Sequence, residues 1–145
     1  MTLVELKKGL IELMQTVFPN HNYYSMEVVE DYDRPCFFTQ LKPTNTQAKN
    51  YNTKNNQMTF YIDYLQEQID EVDMLETIDK LRNLFELSVR IEDRFIDVEG
   101  FDWDFVGTKR NILEVSIDLQ WDEKIEHLDN APLIESVEMT NEMEE

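Results

Sequence analysis

The stretch LEVSIDLQW, residues 113–121, alternates apolar and polar side chains without interruption. Successive side chains of an extended chain point to opposite faces, so this period of two is typical of a β-strand. One face would be buried and the other would face water, as in many antiparallel sheets. A slip of one residue would exchange the two faces, so the pattern also favours a single register. The stretch therefore predicts a half-buried strand.

Other segments on either side of this stretch also indicate strands. Residues 58–64 alternate in the same way, with Met58, Phe60, Ile62 and Tyr64 on the apolar face. In residues 101–105, three aromatic residues alternate with Asp102 and Asp104, which predicts a strand with a buried aromatic face and a solvent-exposed acidic face. Enrichment in β-forming residues predicts further strands at 23–30 and 36–41, and a short one at 89–98.

Two segments have the spacing of a helix with one buried face. The first carries apolar residues three and four apart, at Leu3, Leu6, Leu10, Leu13 and Val17. Thr2 and Glu5 match a capping box at its start. The second has its stripe at Met74, Ile78, Leu81 and Phe85, and we expect Asp73 and Glu76 to cap it.

The order of these elements predicts an α+β fold. We expect a mainly antiparallel sheet of five to six strands with two helices packed on it, forming a single domain over residues 1–125. Residues 126–145 contain seven acidic residues and no Lys or Arg, which predicts a flexible acidic tail.

The stretch 43–56 is rich in Asn and Thr and has no periodicity, so we expect a long loop there. No acidic residue occurs between Arg34 and Ile62, although the chain as a whole has a net charge of -18. The cations in this region are the candidate protein-interaction residues: Arg34, Lys42, Lys49 and Lys54. Either the loop is a solvated connection, or it reaches the acidic surface of a neighbouring copy or partner.

The net charge also limits the classes of partner. A polyanion gains no affinity for nucleic acid by neutralising phosphates, and anionic membranes repel it. No run approaches the roughly 20 apolar residues of a membrane-spanning helix, and the N-terminus lacks the apolar core of a signal peptide. The charge suits a basic partner or an assembly that must stay soluble, although solubility alone would also explain it. We expect the protein to be made in the cytoplasm.

No group of residues matches a catalytic or metal site. The single cysteine, Cys36, is expected to be a buried structural thiol, and His21 and His127 to be ordinary surface residues. Four acidic residues surround Gly100, but their spacing does not match a calcium-binding loop; they are Asp97, Glu99, Asp102 and Asp104. The sequence therefore favours a structural protein over an enzyme, with no cofactor.

Several of these segments, in this order, resemble the tail terminator proteins of long-tailed bacteriophages and prophages. They are LVELKKGLIELMQTVFP (3–19), YSMEVVEDYDRPCFFTQL (24–41), TFYIDYL (59–65) and VSIDLQW (115–121). The segment DYDRPCFFTQL, with its acidic turn, proline and paired aromatics, is the most family-like part.

This resemblance implies a virion protein at the head-proximal end of the tail. Its subunits would form a ring, usually of six copies, which stops tail polymerisation and joins the tail to the head. The implied partners are further copies of the chain, the tail tube protein and a head-completion protein. Two alternatives stay open: an acidic DNA-mimic inhibitor of a nucleic-acid-binding enzyme, and another head–tail connector protein.

Overall fold

The computed structural model describes residues 1–27 and 30–127. Within them the chain forms two helices and six strands. In chain order they are α1 (Leu3–Gln15), β1 (Asn22–Ser25), β2 (Cys36–Ala48), β3 (Thr53–Leu65), α2 (Glu71–Leu84), β4 (Ser88–Ile91), β5 (Arg94–Val106) and β6 (Ile112–Lys124).

The six strands form one sheet in the order β1-β2-β3-β6-β5-β4. β1 runs parallel to β2, and every other neighbouring pair is antiparallel. The predicted α+β class with a mainly antiparallel sheet is therefore confirmed. The two most clearly alternating strands, β3 and β6, are central neighbours, with Phe60 opposite Ile117.

The core lies between one face of this sheet and the two helices. All five apolar residues of the stretch 113–121 in β6 are buried, and so are Met58, Phe60, Ile62 and Tyr64 of β3. The intervening residues Glu114 and Asp118 are exposed on the other face. Burying the apolar row of each strand stabilises the fold by roughly 25 cal/mol for each Å² of apolar surface removed from water.

The start of α1 agrees with its predicted cap. The Glu5 backbone N–H donates to Thr2 Oγ1 at 3.1 Å, and the Thr2 N–H donates to Glu5 Oε1 at 2.7 Å. The helix buries Leu6, Leu10 and Met14.

The cap predicted for α2 is wrong. Asp70 is the N-cap, and its side chain accepts a hydrogen bond from the Val72 N–H at 3.1 Å. Asp73 lies inside the helix and accepts hydrogen bonds from the Tyr64 hydroxyl and the Gln66 side chain instead. The apolar stripe of the helix is confirmed, because all four of its residues are buried.

The long loop predicted at 43–56 is also wrong. β2 and β3 continue as a hairpin through this stretch, and only residues 49–52 connect them. A register shift between Pro43 and Asn45 accommodates a proline, which has no N–H to donate to the ladder. Beyond it, Thr46 Oγ1 donates to Asn56 Oδ1 across the strands at 2.8 Å. The sequence is polar here because this part of β2 is exposed on both faces.

Three further strand predictions need correction. β1 is short, ending at Ser25, with Met26 and Glu27 in a turn and residues 28–29 outside the description. The strand predicted at 89–98 is two strands, because β4 ends at Ile91 and β5 begins at Arg94. β5 then runs unbroken to Val106 and includes the segment predicted at 101–105. Trp103, expected on a dry side, is 42% exposed, with the Arg82 guanidinium 5.8 Å from its ring centre.

Candidate assembly surfaces

Two long strand edges lie open on opposite sides of the sheet. β1 pairs only with the first four residues of β2, so residues 40–48 have no strand beyond them among the described residues. β4 pairs only with the first four residues of β5, which leaves residues 99–106 similarly open in that part of the chain. An open edge presents backbone N–H and C=O groups that can pair with another strand.

The two open edges differ in charge. Residues 40–48 contain Lys42 and no acidic residue, whereas residues 99–106 contain Glu99, Asp102 and Asp104. Lys42 and these three carboxylate residues are exposed. Opposite charges on two strands that pair favour their association, so the edges are complementary in charge as well as in backbone chemistry.

The structure distributes the four predicted interaction residues over different elements. Arg34 lies before β2, where its guanidinium is 5.7 Å from the Tyr32 ring centre and donates to the Gln66 carbonyl at 3.4 Å. Lys42 lies on the open edge of β2. Lys49 lies in the hairpin turn and Lys54 near the start of β3, and both pair with carboxylates of the same chain. Lys49 Nζ is 2.9 Å from Asp122 Oδ2, and Lys54 Nζ is 3.6 Å from Glu123 Oε1.

Further polar contacts hold the hairpin tip to the end of β6. The Asn55 side chain donates to Asp122 Oδ1 at 3.0 Å, and the Asn56 side chain donates to Glu123 Oε1 at 2.9 Å. Hydrogen bonds from Asn55 and Lys49 lower the pKa of Asp122. The Ile125 N–H donates to the Asn52 carbonyl at 2.8 Å. The tip of the hairpin therefore carries much less unpaired positive charge than the sequence alone indicates.

The cysteine and the two histidines have structural surroundings. Cys36 is fully buried, as predicted, and burial raises the pKa of its thiol. His127 is exposed and stacks on Tyr51 with ring centres 4.1 Å apart. His21 differs from its prediction, because it is partly buried and stacks on Phe37 at 5.0 Å, and burial lowers its pKa. Among residues 1–27 and 30–127, no group of three or more His, Cys, Asp and Glu side chains is placed to hold a metal ion.

The fold is a small α+β domain with two open strand edges that could pair with other chains. The chain belongs to the phage tail terminator family: the sequence model described as "Phage tail terminator protein" matches residues 5–131. This family is structural and belongs to the phage tail. Its role implies contacts with tail and head components.

Comparison with solved structures supports the fold alone. Nineteen chains of known structure match. One of them has a TM-score of 0.52 over 89% of this chain and 99% of its own, with 9% sequence identity. No curated protein matches the sequence. Neither helix in the described part of the chain is long and apolar enough to cross a membrane.

Proposed function

We propose that the chain forms a ring at the head-proximal end of the phage tail tube, where it stops tail polymerisation and joins the tail to the head. Family membership gives the general role. The main support for a ring is the pair of open edges, on β2 and β5, at opposite sides of one sheet. When a surface on one side of a copy binds a different surface on the opposite side of the next copy, the contact is head-to-tail. Repeating the same rotation from copy to copy can then close a ring.

Strand direction supports pairing between these two edges. Neighbours among β2, β3, β6 and β5 are all antiparallel, so β2 and β6 run one way while β3 and β5 run the other. Copies related by rotation about a ring axis keep their sheets in one orientation. The β2 edge of one copy then meets the β5 edge of the next in antiparallel alignment, and backbone hydrogen bonds can continue across the boundary.

The proposed partners are other copies of the chain, six in a ring by resemblance to the family, together with the tail tube protein and a head-completion protein. The role is structural rather than enzymatic, requires no cofactor and places the protein in the virion. We propose residues 1–125 as the assembling domain and 126–145 as a flexible acidic tail. Residues 128–145 lie outside the described part of the chain.

The net charge of -18 favours one alternative, an acidic inhibitor that mimics DNA. Such a protein should present a continuous acidic face to its target. The acid-free edge of β2 argues against this, because it carries Lys42 on an exposed surface. Another head–tail connector role would use the same open edges, and binding to isolated tail tubes distinguishes the terminator from it.

Native mass spectrometry tests the ring directly. The purified chain is measured at several protein and salt concentrations, alone and after incubation with isolated tail tubes. We expect a closed homo-oligomer, either free in solution or bound to tube ends. A chain that stays monomeric and also fails to bind tubes would contradict the proposed function.

A further inference from the structure

We infer that an apolar groove beside α1 of one subunit receives the exposed apolar side of α2 from the next copy. This inference rests on the proposed ring and identifies the contact made by its helical layer. The two surfaces are called the α1 groove and the α2 ridge. The α1 groove comprises Leu3, Val4, Ile11 and Leu41, and the α2 ridge comprises Ile69, Val72, Leu75 and Phe105.

The α1 groove is an open hollow of about 600 Å³ between the outer side of α1 and β2. Val4 is 79% exposed and Leu3 is 43% exposed, although both are apolar residues on a helix that also packs against the core. Ile11 and Leu41 are partly buried in its lining. The groove therefore leaves apolar surface in water, and covering that surface would be favourable.

The α2 ridge supplies apolar side chains that project outward. Ile69 is 66% exposed, Val72 is 63% exposed and Leu75 is 50% exposed. Phe105 of β5 is partly buried beside them and lines a smaller hollow with Ile69 and Leu75. None of the three aliphatic side chains is needed to cover the core, which α2 covers with its opposite face. They are available to enter a groove on another molecule.

The charges around the two surfaces are opposite in sign. The residues bordering the α1 groove include Lys7, Lys8 and Glu12, two cations and one anion. The residues bordering the α2 ridge include Asp70, Glu71 and Arg110, two anions and one cation. The border of the groove is therefore net positive and the border of the ridge is net negative, so docking the ridge of one copy in the groove of the next brings opposite net charges together. Two α1 grooves facing each other would instead bring together two groups of net positive charge, which favours the head-to-tail arrangement.

Position in the fold supports the same pairing. The α1 groove borders β2, and the α2 ridge borders β5. These are the two strands with open edges, and the central strands β3 and β6 separate them. Subunits joined edge to edge through β2 and β5 therefore bring the groove of one copy beside the ridge of the next. One rotation brings both pairs of surfaces into contact.

Cysteine cross-linking tests the contact. We would make Val4→Cys and Val72→Cys as separate variants, mix them in equal amounts with tail tubes present, and add a short bismaleimide. The expected result is a cross-linked dimer in the mixture and almost none with either variant alone. Wild-type protein is the control for Cys36, which is fully buried. A chain carrying both substitutions should give a ladder of cross-linked species that ends at the size of the ring.

Two outcomes would overturn this contact while leaving the proposed function intact. One is a wild-type ring on tube ends with no cross-link in the mixture. The other is efficient cross-linking by Val4→Cys alone, which would indicate a two-fold contact between α1 helices. The absence of any wild-type ring, in solution or on tubes, would instead contradict the proposed function.

A second variant tests the energetics. Val4→Asp replaces an apolar side chain of the contact with a carboxylate, and removing a charged group from water is unfavourable. We expect the yield of rings at fixed concentration to fall by about tenfold or more, where tenfold corresponds to 1.4 kcal/mol. Leu87→Asp is the matched control, because Leu87 is 80% exposed and lies outside both surfaces. Equal ring yields for the two variants would overturn the inference.

Discussion

Asp63 of β3 lies in a row of carboxylates on the polar face of the sheet. It is opposite Glu114 of β6, which is in turn opposite Asp104 of β5. Its other strand neighbour is Phe38, and its Oδ1 atom is buried without a hydrogen-bond partner among the described residues. Burial, with a smaller contribution from the negative charge of Glu114, raises the pKa of Asp63 to about 6. The carboxylate is therefore ionised at neutral pH at a cost to stability.

Asp63→Asn should stabilise the protein at neutral pH. The pKa of Asp63 is higher in the folded protein than its ordinary value of 3.8, so the folded state holds this proton more tightly than the unfolded state does. The free energy of unfolding therefore falls as pH rises from about 4 through about 6. The amide does not titrate, so the gain should be largest above pH 6 and disappear below pH 4. Because Asp63 is partly exposed, we expect a gain on the order of 1 kcal/mol.

Urea unfolding of Asp63→Asn and wild type at pH 4 and pH 7.5 would measure this difference. Asp102→Asn is the control, because Asp102 also lies in the sheet but is exposed. A gain for Asp63→Asn that is the same at both pH values would show that the charge of Asp63 is not its cause.

The β2–β3 hairpin is the element in which sequence and structure differ most. Its outer half lacks an apolar period because β2 is exposed there on both faces, and the hydrophobic pattern carries no strand signal in that situation. The ladder instead continues through backbone pairing, and β6 extends beside β3 over its full length. Lys49 pairs with a residue 73 positions away along the chain. No local reading of the sequence could detect that partner.

Lys42 on the open edge of β2 should respond to charge reversal differently from Lys49 and Lys54 at the tip of the hairpin. Lys49→Glu with Lys54→Glu places carboxylates beside Asp122 and Glu123, so we expect the melting temperature to fall by a few degrees. Lys42→Glu lies on the open edge, so we expect an unchanged melting temperature and weaker ring assembly.

Circular dichroism melting and native mass spectrometry separate these two effects. Normal rings from Lys42→Glu would indicate that the β2 edge does not use its cation in assembly. An unchanged melting temperature for the double variant would indicate that the two ion pairs contribute nothing to the stability of the hairpin.

The acidic C-terminal segment is predicted to add little to the fold. Residues 130–145 contain few apolar side chains, too few to offset the entropy of ordering them. We therefore expect deletion of these residues to leave the melting temperature nearly unchanged. Deletion from residue 125 is the informative comparison, because it also removes the Ile125 and His127 contacts to the hairpin turn. A large drop on deleting residues 130–145 alone would place the domain boundary later in the chain.

At the scale of the whole molecule, the sequence predicted the core better than the surfaces. Alternation in β3 and β6 and the stripe of α2 identify buried residues, because burial of one face repeats at a fixed period. The open edges have no such signal, since they follow from where β1 and β4 stop pairing. The exposure of Trp103 likewise had no signal in the sequence, and its ring lies beside Arg82, a residue of a different element. The family resemblance nevertheless indicated the class of protein that the comparison with family models confirms.

The proposed function requires that this chain end the growth of a tail tube. The most direct measurement is the length of tubes polymerised from purified tail tube protein with and without the chain, by negative-stain electron microscopy. We predict shorter tubes when the chain is present, each with one additional ring at a single end. Tubes of unchanged length with bare ends, at chain concentrations above the number of tube ends, would contradict it.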